Sequence, residues 1–144
     1  MKAALFLCTG NYYRSRFAEE VFNHYARRDG LNWTAQSRAL AIERGVNNVG
    51  PLSPFALQGL QERCLIARGA DRLPQQCTIN DLKAADRIVA LKESEHRPLM
   101  VERFPGWEHR AEYWQVDDVE VVPPDIALSC IEREIEAMLV RLRS

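Results

Sequence analysis

The sequence predicts an α/β fold in which a parallel sheet is covered by helices on both faces, a three-layer sandwich. Three observations predict it. Strand-like and helix-like patterns alternate along the chain. The first apolar run, Ala3 to Leu7, is continuous rather than alternating, as in a strand buried on both faces. The last segment carries an apolar stripe on one side only, the mark of a helix laid against a sheet. The 144 residues are the usual size of one domain and show no repeat or linker, so 1–144 reads as a single domain.

The elements follow in order. Ala3 to Leu7 stops at a Gly-containing turn. From Ser15 to Arg28 the residues Phe17, Ala18, Val21, Phe22, Tyr25 and Ala26 recur at helical spacing, and Asp29-Gly30 ends the run. Trp33 to Ser37 reads as the second strand. Residues 45–51 are turn-rich, and a helix is expected from Pro54 to Ile66 with proline in its first turn. Thr78 to Ala85 reads as a short helix capped by Thr78 or Asn80. Arg87 to Leu91 is the third strand and Glu93 to Phe104 a helix, with Pro98 predicting a late start or a kink. Ala111 to Val116 reads as the fourth strand. The final helix follows Pro123-Pro124, with Leu128, Ile131, Ile135, Leu139 and Leu142 toward the core and Glu132, Arg133 and Glu136 toward water.

Bulk properties narrow the function. Charged residues make up 27% of the chain but sum to a net charge of −1 with the signs interspersed, which excludes a nucleic-acid footprint. No segment reaches the roughly 18 apolar residues of a membrane span, and the opening run is too short for a signal-peptide core. Cys8, Cys64, Cys77 and Cys130 are few and irregularly spaced, neither a disulfide framework nor a metal pattern. A reduced, cytoplasmic setting is expected. His24, His96 and His109 have no metal-like spacing and read as solvated surface positions. No dinucleotide or Walker motif occurs, so no cofactor is expected.

The chemistry concentrates in Cys8-Thr9-Gly10-Asn11-Tyr12-Tyr13-Arg14-Ser15, between the first strand and the first helix. Ligands of parallel sheets bind at the carboxyl ends of strands, often after the first. Loop amides at a helix N-terminus form an anion cradle. Gly10 permits close backbone approach, and Asn11 tolerates a left-handed conformation. Arg14 offers a planar fork for two phosphoryl oxygens. An electropositive site of this kind favours a thiolate at Cys8, which Ser15 can stabilise by a hydrogen bond. The competing reading is a buried strand-end cysteine beside a surface arginine; the strand before, the helix after and the internal Gly-Asn weigh against it.

These residues resemble the low-molecular-weight protein tyrosine phosphatases, with thioredoxin-coupled arsenate reductases as cousins. The match runs through Leu7-Cys8-Thr9-Gly10-Asn11, then Arg14-Ser15, then Ala18-Glu19, and extends weakly over the whole chain, including Asp86 at the opening of the third strand. The resemblance implies a flavodoxin-like fold with four parallel strands, and a Ser37 that braces Asn11. It implies Cys8 as nucleophile, Arg14 as phosphate clamp and no metal. Thr9, Gly10, Asn11, Tyr12, Tyr13 and Ser15 then form the rest of the phosphate site.

Two departures matter. Tyr13 stands where the family has a second loop cysteine, so no disulfide can shield Cys8, and Lys92-Glu93-Ser94, just after the third strand, holds no cysteine to relay a disulfide, which counts against arsenate reduction. The family's general acid is the Asp of an Asp-Pro-Tyr segment; here Val116-Asp117-Asp118-Val119 lacks the Pro and aromatics. Spacing favours Asp118, with Asp117 as runner-up, and both also suit a plain turn. Tyr12 occupies the rim position that is bulky and apolar in phosphotyrosine-selective relatives and Thr in phosphoarginine-selective ones. A ring there, with Tyr13 and Trp114 as further candidates, suits an aryl leaving group, although core packing is the better reading of Trp114. The expected activity is hydrolysis of phosphotyrosine in proteins, or of a small aryl phosphate, through a phosphocysteine. Arsenate reduction, hydrolysis of a phosphorylated metabolite and silent phosphate binding are the alternatives.

Overall fold

A computed structural model describes residues 1–143. Its four strands are β1 (Lys2–Cys8), β2 (Trp33–Ala39), β3 (Arg87–Ala90) and β4 (Ala111–Tyr113). All pair in parallel, in the spatial order β2-β1-β3-β4. The five α-helices are α1 (Arg14–Arg28), α2 (Pro54–Glu62), α3 (Ile79–Ala84), α4 (Glu93–Arg103) and α5 (Pro124–Arg143). Strand order reverses at β1, because β2 lies on one side of it and β3 on the other. A crevice therefore opens at the carboxyl end of β1, and Cys8 is the last residue of that strand.

The continuous apolar run of β1 is explained by burial on both faces. Ala4 and Phe6 join Val89 in one cluster with Phe17 of α1, Leu60 of α2 and Ile131 of α5. Leu5 and Leu7 join Ile88 and Ala90 in the other, with Leu82 of α3 and Met100 of α4. Along α5, Leu128, Ile131, Ile135 and Leu139 are buried, as their period predicts. Glu132, expected in water, instead pairs with Arg63 at 3.0 Å. Gly59 is where α2 meets this layer: a Cβ there would lie 2.3 Å from Leu128 Cδ1.

Several boundaries differ from the sequence expectation. The α2 helix ends at Glu62 rather than Ile66, through a Schellman turn: the N–H of Leu65 donates to the Leu60 carbonyl and that of Cys64 to Gln61. Cys64 takes the position glycine usually fills, at φ 59°, and is exposed rather than packed in the core. Cys64→Gly should therefore stabilise the fold by about 0.5–1 kcal/mol, raising Tm by roughly 2 °C in calorimetry. An unchanged or lower Tm would count against strain at Cys64.

The α3 helix is capped by Thr78, with Asp81 completing a capping box. The α4 helix starts at Glu93 and runs through Pro98 without delay. The carbonyl that Pro98 leaves unpaired is that of Ser94, on the exposed face, where water can satisfy it. The β4 strand closes at Tyr113, short of Val116, because Lys92 and Gln115 form an antiparallel bridge. The chain still tracks β3, with Val116 N–H donating to the Leu91 carbonyl at 2.8 Å. Among the described residues no helix is long and apolar enough to cross a membrane.

Candidate active site

Residues 9–13 link the end of β1 to the start of α1, and their polar backbone divides in two. The carbonyls of Cys8, Thr9, Tyr12 and Tyr13 accept from Leu40, Ala41, Ser53 and Phe17. Among the described residues, the N–H groups of Thr9 through Ser15 find no protein acceptor. The loop is thus held by its carbonyls while a run of donors at a helix N-terminus stays available, which is the makeup of an anion nest.

Asn11 holds the left-handed turn at φ 51° and is wholly buried. Its Nδ2 donates to Ser15 Oγ and to Ser37 Oγ, both at 2.9 Å, and its Oδ1 accepts from the Gln75 N–H at 3.1 Å and from Arg72 Nη1 at 3.3 Å. Ser37 Oγ in turn donates to Glu19 Oε1 at 2.6 Å. Ser15 Oγ lies 2.9 Å from Cys8 Sγ. Since that oxygen already accepts from Asn11, its own hydrogen is free to point at sulfur. The expected brace from Ser37 is in place, and Arg72 and Glu19 extend it.

Arg16 fastens the surroundings. Buried in the first turns of α1, it donates to the carbonyls of Pro51, Gly69 and Arg72, each at 2.8 Å. The loop at residues 45–53, which forms one wall, is therefore tied to the base of the cradle.

Arg14 is almost wholly buried, and its donors can be counted. Nη1 uses both hydrogens, on Glu95 Oε1 at 3.0 Å and the Val116 carbonyl at 2.9 Å. Nη2 uses one, on Glu95 Oε2 at 2.7 Å. One N–H on Nη2 and that on Nε are left, and together they form the second planar edge of the guanidinium. Asp118 Oδ2 lies 3.6 Å from Nη2. Burial alone would weaken protonation of Arg14, but Glu95, Cys8 and Asp118 outweigh it and hold the cation.

Glu95 and His96 are among the residues the sequence reading missed, with Arg16, Phe55, Arg72 and Glu120. Glu95 takes the Arg14 fork and also accepts from the Thr9 hydroxyl. Burial would raise its pKa; contacts with His96 and Arg14 overcome that and hold the carboxyl well below the usual carboxylate range. His96 is fully buried, not solvated as its scattered spacing suggested. Its signal was its place on the stripe with Leu99 and Met100, at i, i+3 and i+4 on the inner face of α4. His109 is exposed and His24 half-buried against Tyr25.

Burial pushes the His96 imidazole below its ordinary value of 6.5. Between the depressed folded value and 6.5 the unfolded chain binds the extra proton, so stability rises with pH across that window. The contribution is complete above 6.5 and is lost as pH falls. Tm should therefore drop on acidification below pH 6.5, and less so in His96→Gln; equal slopes for the two proteins would refute this assignment.

A cavity of about 270 Å³ opens over the loop. Its walls include Tyr12, Tyr13, Phe55, Asp118 and Glu120. Tyr12 is fixed by its hydroxyl, which donates to the Val49 carbonyl at 2.5 Å. The Tyr13 ring meets Phe55 edge-on at 6.4 Å, and its phenol is buried without a hydrogen-bond partner. Burial, then Asp118, push that phenol up to about 12. Trp114 lies in the core against Phe6, 5.7 Å between rings, and is absent from the cavity walls. The two candidate acids part company: Asp118 lines the cavity, while Asp117 turns to Lys92 Nζ at 3.0 Å. The Asp118 carboxylate accepts from the Val119 N–H at 2.8 Å and remains partly exposed. Among the described residues no group of His, Cys, Asp or Glu could hold a metal ion.

Fold and loop together define an α/β protein with an anion cradle after its first strand. Over residues 3–118 the chain matches the family described as low molecular weight phosphotyrosine protein phosphatase, and it belongs to that family of phosphatases. A curated relative, the protein-arginine-phosphatase of Bacillus subtilis (strain 168), is 27% identical over 100 residues, 69% of this chain. The match spans 61% of that relative's length. The fold is also that of the low molecular weight protein tyrosine phosphatase from T. tengcongensis, with a TM-score of 0.80 at 23% identity over 98% of this chain and 99% of that one. A third likeness is the low molecular weight protein tyrosine phosphatase of Streptococcus pyogenes, with a TM-score of 0.83 at 21% identity over 100% and 95% of the two chains.

Proposed function

We propose that this chain is a metal-independent cysteine phosphatase acting on phosphotyrosine in proteins, through a phosphocysteine, in the cytoplasm. The observation that carries the reading is the run of unpaired N–H groups from Thr9 to Ser15, closed by the free edge of Arg14, next to Cys8 Sγ. Such donors suit the equatorial oxygens of a phosphoryl group in flight, where negative charge is spread.

The reaction runs in two steps. Cys8 thiolate attacks phosphorus in line; the S–P bond forms as the P–O bond to the leaving group breaks, and Asp118 delivers its proton to the departing oxygen. Water then attacks the phosphocysteine while the Asp118 carboxylate takes its proton. Sulfur leaves as thiolate, with the Ser15 hydroxyl 2.9 Å away to receive its charge. Glu95 orients Arg14 without entering either step.

Aromatic walls from Tyr12, Tyr13 and Phe55 favour an aryl phosphate. Phosphoarginine is the second reading: the curated relative carries that activity in its name, and Asp118 with Glu120 at the cavity would suit a guanidinium leaving group. A disulfide relay of the arsenate-reductase kind finds little support, since Cys77 is buried and its thiol is pushed up to about 12, by burial first and then by Asp81. The test is turnover of matched phosphotyrosyl and phosphoarginyl peptides in EDTA, with acid quenching to trap the intermediate. We expect the tyrosyl peptide to be preferred and a phosphoryl group to appear on the Cys8 peptide. A preference for the arginyl peptide would replace the substrate reading, and no phosphoprotein with either would remove the cysteine mechanism.

A further inference from the structure

We propose that His96 is a positioning residue for Arg14, acting through Glu95 and never touching substrate. The inference rests on the phosphatase reading, since it concerns the geometry with which Arg14 meets a phosphoryl group.

The tautomer of His96 is fixed by its surroundings. Nδ1 accepts from the Lys92 N–H at 3.0 Å, so in the neutral ring the hydrogen sits on Nε2. That Nε2–H is buried and has no aligned acceptor; the nearest is Glu95 Oε2, 3.1 Å away. The same oxygen receives Arg14 Nη2 and the Thr9 hydroxyl. Three groups therefore meet at one carboxylate: the phosphate-clamping arginine, the first loop residue after Cys8 and a wholly buried imidazole.

The consequence is geometric. Glu95 grips one edge of the Arg14 guanidinium, which leaves the Nε and Nη2 edge for substrate. Any rotation of the Glu95 carboxylate turns that edge with it. Thr9 restrains the carboxylate from the loop side, and His96 fills the space behind it with a donor that no other group satisfies. Burying a donor without a partner is unfavourable, so the ring favours carboxylate orientations that keep Oε2 facing it. The imidazole is neutral at neutral pH and does not compete with Arg14 for the carboxylate charge.

The test is a double-mutant cycle on the full-length chain, read as the inhibition constant of inorganic phosphate against p-nitrophenyl phosphate. His96→Leu should weaken phosphate inhibition about tenfold in the wild-type background and less than about twofold in Glu95→Gln, because the residue acts only through Glu95. His96→Gln, which keeps an N–H donor, should come within about threefold of wild type. A merely structural role predicts the same loss in both backgrounds and no rescue by glutamine, and that result, like no loss at all, overturns the proposal. Should His96→Leu fail to fold, His96→Met, which also lacks a donor, takes its place in the cycle. Wild-type protein that neither binds phosphate nor hydrolyses the ester would remove the phosphatase reading itself, whereas additive effects in a phosphate-binding protein remove only this inference.

Discussion

Replacing Cys8 by serine should lower kcat/KM for p-nitrophenyl phosphate roughly 10⁴-fold or more, with inorganic phosphate still bound. A serine hydroxyl stays protonated at neutral pH, and in the proposed first step Asp118 holds its own proton for the leaving group, so it is no base for the serine. Ser15 Oγ, 2.9 Å from the sulfur, already accepts from Asn11 Nδ2, and a neutral hydroxyl is a very weak base. It can give a hydrogen bond to sulfur but is poorly placed to take a proton. The cradle should survive the substitution, because its shape comes from carbonyls held by Leu40, Ala41 and Ser53 and from the Asn11 amide, none of which involves the thiol. Phosphate should therefore raise Tm of the variant and of the wild type alike. The opposite pattern, with activity retained or with phosphate binding lost alongside it, would make Cys8 a packing residue at a strand end.

The legible and illegible parts of this fold separate along a physical line. The run from Ala3 to Leu7 could be read as a doubly buried strand because burial on both faces leaves no polar position to interrupt it. Asn11 could be read as the left-handed residue because few non-glycine residues tolerate that region, and it is found at φ 51°. What could not be read were partners distant in sequence. Glu95 meets Arg14 across 81 residues and Arg72 meets Asn11 across 61, and no local pattern encodes either pairing. Boundaries failed where a residue took an unusual role. Cys64 ends α2 in a place normally kept for glycine, and Pro98 sits within α4 because the carbonyl it frees faces solvent. His96 lay between these cases: its spacing marked the inner face of a helix, while its polarity argued for water.

Asp118→Asn should lower kcat by about 10²–10³-fold for substrates with poor leaving groups, and by far less for p-nitrophenyl phosphate. A nitrophenolate departs readily without a proton, whereas the oxygen of an alkyl or unsubstituted phenyl ester needs one. The slope of log kcat against leaving-group pKa should therefore steepen in the variant. Position supports Asp118 as the donor. It lines the cavity, its Oδ2 is 3.6 Å from the arginine that would hold the phosphoryl group, and the carbonyl of nearby Val116 is bound by the same guanidinium at 2.9 Å. Residues 116–118 and the proposed phosphate clamp are thus joined by a single side chain, which ties the position of Asp118 to that of Arg14. Asp117 serves as the internal control. Its carboxylate is engaged by Lys92 at 3.0 Å, away from the cavity, and Asp117→Asn should leave the leaving-group slope unchanged. A steeper slope in Asp117→Asn, with a flat one in Asp118→Asn, would exchange the two roles.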